Sequence, residues 1–394
     1  MHLAHKIELK PTKEQAAKLQ MACGCARFAY NWGLNRWQEL YKEYKKDKTK
    51  PKPTASLIKK EFNSIKEQQF PWIYESPKDA NQQAFANLDN AYKRMFKKLS
   101  KYPKFKKKKN NESFYVSNDR LKLNGFLVKL PLIGVIEMTE QLRFQGKILS
   151  AVVSKRAHKW FISVAVDTTI QKENNVKNDS IGIDLGLKSF ATLSTGETIE
   201  SPKYFRKLQK QLRRRQKEFS RRKNGNKNRT KSALKVSRTH YKIFCQRNDF
   251  LHKLSTKICR ENQTICLEDL AVKNMMKNRK LAKSIGDAGW GEFRRQLEYK
   301  SKIFGNNIVI ADRFYASSKT CSNCGHKKKK LSLGERTFTC EICSVSLDRD
   351  LNAAINLSRL GHSRIYACGH DASTGSDKEL ACMMVEARTQ VYTL

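Results

Sequence analysis

The segment CEICSVSLDRDLNAAINLSRLG, Cys340–Gly361, runs from a Cys-x-x-Cys pair into two acids, Asp348 and Asp350, and then into a helical pattern with small residues at Ala353 and Ala354. Upstream, CSNCG supplies a second pair, Cys321 and Cys324, with fifteen residues between the two pairs. Two such knuckles at this spacing read as a zinc ribbon, in which Cys321, Cys324, Cys340 and Cys343 present four thiolates to a tetrahedral Zn²⁺. Four thiolates leave no open coordination position, so the zinc is expected to be structural. A redox pair is the competing reading of each Cys-x-x-Cys. His326 lies beside the first knuckle and is expected to be a bystander, because the cysteines already complete the set.

The acids of this segment connect it to two distant strands. In SIGIDLG, Ile181 and Ile183 point to one side and Gly182 and Asp184 to the other. A carboxylate in a run this apolar costs several kcal/mol to bury without a cation or partner, on the order of 3–5. TICLEDL repeats the pattern, with Ile265 and Leu267 on one face, Cys266 and Glu268 on the other, and Asp269 turned away to cap the next segment. Asp350 and Asp348 both stand where a helix begins, and N-capping alone would account for either. Helical geometry points the two in different directions, which leaves Asp350 as the candidate ligand and Asp348 as the structural residue. Together Asp184, Glu268 and Asp350 can hold two Mg²⁺ ions about 4 Å apart and activate water against a phosphodiester.

The remainder of the chain suits such a substrate. Its 394 residues carry 79 Lys and Arg against 37 Asp and Glu, a net charge of +42 that opposes compaction unless a polyanion neutralises it. That excess predicts nucleic acid as partner and excludes mere solubilisation as its purpose. Neither a long apolar window nor a signal-peptide layout is present, so the protein is expected in the cytoplasm, without membrane contact. Of eleven cysteines, the seven outside the two pairs fit free thiols better than a disulfide framework.

Along the chain, HKIELKPT reads as a short strand, and Thr12 with Gln15 forms a capping box for a helix whose apolar positions include Leu19, Ala22, Ala26, Ala29 and Trp32. A second helical pattern runs from Phe85 to Leu99. The segment 97–110, KKLSKYPKFKKKKN, is either a solvated linker or an exposed nucleic-acid-binding strap that offers Lys106 and Lys107 to phosphates. Asn124-Gly125 marks one β-hairpin and Arg156 to Lys159 a second, predicting a small barrel or sheet that residues 2–9 would complete. From Lys203 to Lys235 there are fifteen Lys or Arg and one acid, Glu218. This region is expected to be a helical hairpin whose outer face, including Lys203, Arg206, Arg213, Arg214, Arg221 and Arg222, meets phosphates. Gly286, Gly289 and Gly291 predict a mobile loop, and the tail from residue 366 is expected to be poorly ordered.

The blocks GIDLGLKSFATLS, LEDL, YASSKTCSNCG and CEICSVSLDRDLNAAINL, in this order, resemble the TnpB nucleases encoded by bacterial insertion sequences, relatives of the type V CRISPR effectors. The resemblance covers nearly the whole chain. It implies an α/β multidomain protein: a wedge-like β-barrel (1–11 and 111–176) interrupted by a helical recognition domain with a helix-turn-helix-like start (12–110). An RNase H-like, RuvC-type domain (177–317 and 345–365) follows, interrupted by a zinc-containing target-nucleic-acid module (318–344). Motif by motif, the three RuvC acids would be Asp184, Glu268 and Asp350. Family members use a guide RNA from the element's right end and cut double-stranded DNA that pairs with it, although they are often labelled transposases. The rivals are a non-cutting RNA-guided DNA-binding repressor or transposition accessory, and a strand-joining transposase. Nothing in the sequence fixes the oligomeric state, and a monomer is the default expectation.

Overall fold

The computed structural model describes residues 1–108, 112–169, 176–332 and 334–369. The chain separates into two compact units, Met1–Ile170 and Gln171–Leu394.

The first unit joins a sheet to a helical layer. Strand β1 (His2–Lys10) leads into α1 (Lys13–Lys46), which is capped as its sequence predicts: Gln15 N donates to Thr12 Oγ1 at 3.2 Å, and Thr12 N donates to Gln15 Oε1 at 3.0 Å. Helices α2 (Ala55–Gln69) and α3 (Lys78–Phe96) pack on α1 around Trp37, Phe62, Phe85 and Tyr92. Six strands follow: β2 (Ser113–Ser117), β3 (Lys122–Asn124), β4 (Leu127–Leu130), β5 (Gly134–Met138), β6 (Lys147–Arg156) and β7 (Lys159–Asp167). Both predicted hairpin turns form, with Gly125, Ala157 and His158 at positive φ.

The expectation of a barrel needs correcting. The strands make one seven-stranded sheet in the order β2-β6-β7-β1-β5-β4-β3, and among the described residues no ladder joins β2 to β3. The ladder ends at β2 on one side and at β3 on the other. Leu19, Ala22 and Cys23 of α1 and Ala80 of α3 join the sheet's core instead.

The second unit is built on a five-stranded sheet in the order β10-β9-β8-β11-β12. Here β8 (Asn178–Leu185), β9 (Ser189–Leu193) and β10 (Thr198–Glu200) are antiparallel neighbours. Strands β11 (Asn262–Glu268) and β12 (Asn307–Ala311) run parallel to β8. Between β10 and β11 lies the predicted helical hairpin, α4 (Tyr204–Arg221) and α5 (Lys227–Glu261). The glycine-bearing stretch expected to be a mobile loop is helical instead: α6 (Val272–Met275), α7 (Ala282–Ala288) and α8 (Trp290–Phe304). Burial of Ile285, Ala288, Trp290 and Phe293 outweighs the helix-breaking tendency of its glycines, and Gly289, at φ +75°, supplies the left-handed junction between α7 and α8.

The short strands β13 (Thr337–Thr339) and β14 (Ser346–Asp348) form a hairpin that feeds α9 (Arg349–Gly369). Helices α5 and α8 cover the sheet face bearing Ile181, Ile183, Ile265 and Leu267, while α9 covers the face bearing Gly182 and Cys266. Burial on both faces is why the centres of β8 and β11, Ile181–Ile183 and Ile265–Leu267, carry no polar side chain. The tail expected to be poorly ordered lies outside the described residues, apart from 366–369, which continue α9. Among the described residues, no helix is long and apolar enough to cross a membrane.

Candidate active site and metal centre

Three elements bring the predicted acids to one end of the sheet. Leu267 on β11 pairs with Ile183 on β8, so Glu268 and Asp184 occupy the next positions at the carboxyl ends of adjacent parallel strands. This is the edge at which open α/β sheets present ligand sites. Asp350 enters from above, in the first turn of α9. All three side chains are half-buried.

Close packing aims α9 at this point. A Cβ on Gly182 would lie 1.9 Å from the Ala354 carbonyl oxygen and 2.4 Å from the Ser358 nitrogen, so only glycine lets the helix backbone touch the strand. Beside this contact Ser180 Oγ donates to the Ser358 carbonyl at 2.9 Å, and Ser358 Oγ donates to the Ser180 carbonyl at 3.1 Å. The buried Ala353 and Ala354 complete the fit.

Electrostatics make Asp184 the focus. Burial first, and then the neighbouring Glu268 and Asp350, push its carboxyl up to about 8, with Arg349 opposing and Asp348 adding to the rise. Acids crowded in this way, with too little positive charge beside them, form a donor set that suits a hard divalent cation. Asp348 has the structural role read from the sequence, since its Oδ1 accepts from the backbone N–H groups of Asp350 (2.9 Å) and Leu351 (3.1 Å). Asp269 is not a cap for the following segment but an anchor, paired with Arg294 at 2.8 Å and Arg313 at 2.7 Å.

The four cysteines converge as expected. Cys321 and Cys343 sulfurs lie 3.6 Å apart, Cys324 and Cys340 sulfurs 3.5 Å apart, and all four fall within 4.8 Å of one another. Zinc–sulfur bonds of about 2.3 Å in a tetrahedron require sulfur separations of about 3.8 Å, so the cluster needs little adjustment to hold Zn²⁺. Backbone N–H groups face the sulfurs, including Asn323 N to Cys321 and Ile342 N to Cys340, both at 3.4 Å. Such bonds, led by that of Val345, hold the Cys343 thiol down at about 6, and those of Cys343 and Ile342 lower Cys340. His326 stays outside the sulfur set. Among the described residues this is the only group of three or more His, Cys, Asp or Glu with ligand atoms that close, so the three carboxylates stand wider apart.

Several functional positions were missed in the sequence. Ser317 Oγ donates to Glu268 Oε1 and fixes that carboxylate. Asn352, 0% exposed, accepts from Ser322 N at 2.9 Å and donates to the Thr320 carbonyl at 2.8 Å. Asn356, one turn later, donates to the Ser317 carbonyl at 2.8 Å and the Thr320 carbonyl at 2.6 Å. The helix that carries Asp350 thus grips the segment that runs from Glu268's partner into the first knuckle. The signal available was Asn352 and Asn356 at i and i+4 in an otherwise apolar helix face.

On the α4–α5 hairpin, Lys203, Arg206, Arg213, Arg214, Arg221 and Arg222 are all exposed. Arg214, Arg221 and Arg222 line a shallow groove with Lys217 and Glu218. Arg215 and Arg229 instead hold the hairpin together, donating to the carbonyls of Lys235 and Phe219 at 3.2 Å. In the first unit Lys106 and Lys107 are both exposed, and Lys106 lays its Nζ 4.1 Å from the centre of the Tyr30 ring.

Fold and site together define a multidomain α/β protein with an acid-bearing, partly parallel sheet and a four-cysteine cluster able to bind zinc. Family profiles match residues 161–279 ("Probable transposase", OrfB of IS605-type elements), 290–357 ("Cas12f1-like, TNB domain") and 1–46 ("Helix-turn-helix domain"); in this chain the last is a strand and one unbroken helix. A "Putative RNA-guided DNA endonuclease" of Streptomyces pristinaespiralis is 38% identical over 372 residues, 93% of this chain and 90% of the relative. The Escherichia coli K12 protein "Putative RNA-guided DNA endonuclease InsQ" is 31% identical over 388 residues, 94% of this chain and 95% of its own. The chain belongs to the TnpB family, the OrfB proteins of IS605-type elements. In fold it is similar to the protein of a Cas12f1–sgRNA–target DNA complex, with a TM-score of 0.58 and 18% identity, covering 88% of this chain and 83% of the other.

Proposed function

We infer that this protein is an RNA-guided DNA endonuclease of a transposable element, working in the cytoplasm with a guide RNA from the element's right end on double-stranded target DNA. The observation that carries this reading is the meeting of Asp184, Glu268 and Asp350 at the carboxyl edge of a five-stranded sheet whose order, β10-β9-β8-β11-β12, fits the RNase H-like domain that the resemblance implies. Names of full-length relatives and the basic hairpin support the same conclusion.

Asp184, Glu268 and Asp350 would hold two Mg²⁺ ions, which when bound supply an activated water and neutralise charge on the phosphodiester. The residues of the chain itself do the positioning. Burial of Asp184 between two other carboxylates makes the site costly as three anions, and therefore strongly selective for cations. Ser317 keeps one oxygen of Glu268 engaged, so that the carboxylate presents a fixed face. Asp348 satisfies the first N–H groups of α9 and leaves Asp350 free to face the site. The four-cysteine cluster would hold structural Zn²⁺ and fix the path by which the chain enters α9. In RNA-guided recognition, pairing reads the sequence and the protein supplies backbone contacts, a task suited to the exposed arginines of α4.

The test is Asp184→Ala in the full chain purified with its RNA. Cleavage of a guide-matched plasmid should disappear while RNA binding is unchanged, and full cleavage by the variant would overturn the assignment.

A further inference from the structure

Phe314 is the most exposed large apolar side chain among the described residues, at 93%, and it follows by three residues the partner of Glu268 on β12, Ala311. Single apolar residues on a surface are ordinary, so exposure alone assigns it nothing. Its frame is what matters. Phe314 lies in a tight turn, closed by Tyr315 N donating to the Asp312 carbonyl at 2.9 Å, immediately after β12. On one side Arg313 is tied to Asp269, the neighbour of Glu268. On the other side Tyr315 OH donates to the Asn356 carbonyl at 3.3 Å, with its ring packed near Cys266 and Leu357. Asp312, at the start of the turn, meets Arg364 at 3.4 Å. The turn is therefore clamped through residues flanking the phenylalanine, and the ring is presented to solvent from a fixed base.

The position is defined by register. Ala311 pairs with Glu268, so three residues at about 3.8 Å each and one strand spacing of about 4.8 Å bound the separation of the Phe314 and Glu268 Cα atoms at about 16 Å. A stacked strand rising about 3.4 Å per nucleotide covers that distance in about five nucleotides. The guanidinium in the same turn is already engaged by Asp269, so what the turn offers is an aromatic face rather than a phosphate contact.

We propose that Phe314 stacks on an unpaired base of the DNA strand being cut, within about five nucleotides of the scissile bond, and so holds that strand over the acids. Carboxylates that take the backbone through cations fix a phosphate but leave the strand free to swivel. A ring stacked on a nearby base removes that freedom without reading sequence, because every base has a π-face.

The inference rests on the nuclease reading, and its test separates the two. The full chain, purified with its RNA, is assayed for single-turnover cutting of guide-matched DNA carrying one abasic nucleotide at each of the positions around the cut. In the unsubstituted protein one or two abasic positions should slow cutting roughly 5- to 150-fold, the range expected for loss of one stacked base. Phe314→Ala should be slowed by a similar factor on intact DNA and become indifferent to the abasic positions, while Phe314→Trp should recover. An alanine variant that cuts at the normal rate, or that keeps the same abasic profile, overturns the stacking role, as does sensitivity only to abasic positions in the RNA. Cutting that survives Asp184→Ala would refute the catalytic reading instead, and the abasic profile would still decide the role of Phe314.

Discussion

Gly182→Ala probes the contact that places Asp350 opposite Asp184. The added Cβ would start 1.9 Å from the Ala354 carbonyl oxygen, 2.4 Å from the Ser358 nitrogen and 2.9 Å from Leu357 Cβ. Two of these three atoms are helix backbone, so no rotamer change relieves the clash. Ordinary contact begins at 3.4 Å, and α9 must therefore retreat by about 1.5 Å, 3.4 less 1.9. Overpacking of this kind costs about 1–3 kcal/mol, and more where the backbone cannot yield. Asp350 moves with the helix, and displacement of a reacting group by about 1 Å can cost about 10²-fold in rate. Urea unfolding should show the stability loss, and single-turnover cutting by the folded variant should fall by about two orders of magnitude. RNA binding, proposed to rest on the exposed arginines of the α4–α5 hairpin, should change little. Gly361→Ala is the milder comparison, because its nearest contacts are side-chain atoms, Ser180 Oγ at 3.0 Å and Cys266 Cβ at 3.2 Å. Ala354→Gly should not rescue the variant, since the obstructing atom is a carbonyl oxygen. A Gly182→Ala protein with unchanged midpoint and rate, or rescue by Ala354→Gly, would refute the reasoning.

Ser317→Ala removes the hydroxyl that fixes Glu268 and should lower cutting about 10- to 100-fold, with the Mg²⁺ concentration needed for half-maximal rate rising in parallel; unchanged Mg²⁺ dependence would count against the contact. Lys300, 6% exposed, donates to the His252 carbonyl, Ser255 Oγ and Thr256 Oγ1 and, among the described residues, pairs with no carboxylate, so burial lowers its ammonium to about 8. The unfolded chain then binds more protons between pH 8 and 10.5, so this residue's destabilising effect is full below pH 8 and fades as pH rises. Compared with Lys300→Met, the wild type should gain about 2 kcal/mol between pH 7 and 9.5, and a pH-independent difference would contradict the assignment. Cys343→Ser should abolish a stoichiometry of one zinc per chain measured by metal analysis, whereas His326→Ala should leave it intact.

The sequence was most legible where chemistry and pattern coincide. The capping box at Thr12, the hairpin at Asn124-Gly125, the sulfur cluster and the pairing of strand-borne acids with an apolar opposite face all depend on local residue types, and all are seen in the folded chain. What local pattern could not supply was tertiary. Glycines at 286, 289 and 291 look like a loop until Trp290 and Phe293 are seen to be buried, and burial then outweighs propensity. Sheet closure was equally invisible, because it depends on whether the two edge strands pair with each other in space. Gly182 was noted only for the side on which it lay. That it is the seat of α9 follows from a partner more than 170 residues away, which no window along β8 contains. Lys106 likewise read as one cation in a run, whereas Asn31 holds its backbone and the Tyr30 ring underlies its ammonium.

The position of the cysteine hairpin between β12 and α9 has a mechanical reading. Arg349 N donates to the Arg336 carbonyl at 2.7 Å, so the first residue of α9 is held by the residue that leads into β13. Asn352 and Asn356 then fasten the helix to residues 317–322, and Ser317 in that segment reaches Glu268. The path from the sulfur cluster to two of the three acids consists of hydrogen bonds from buried or half-buried groups, where an unmade bond costs about 1–3 kcal/mol. Metal binding by cysteines is linked to folding of the segment that carries them. Loss of the metal should therefore loosen Asp350 and the hold of Ser317 on the Glu268 carboxylate together, while leaving the backbones of Asp184 and Glu268, both on the sheet, in place. A chain with a net charge of +42 attracts a polyanion without help, but under the proposed function a few carboxylates must still be held against one another at the point of attack. Glycine contact, asparagine clamps and the sulfur cluster are the means by which this sequence opposes that repulsion.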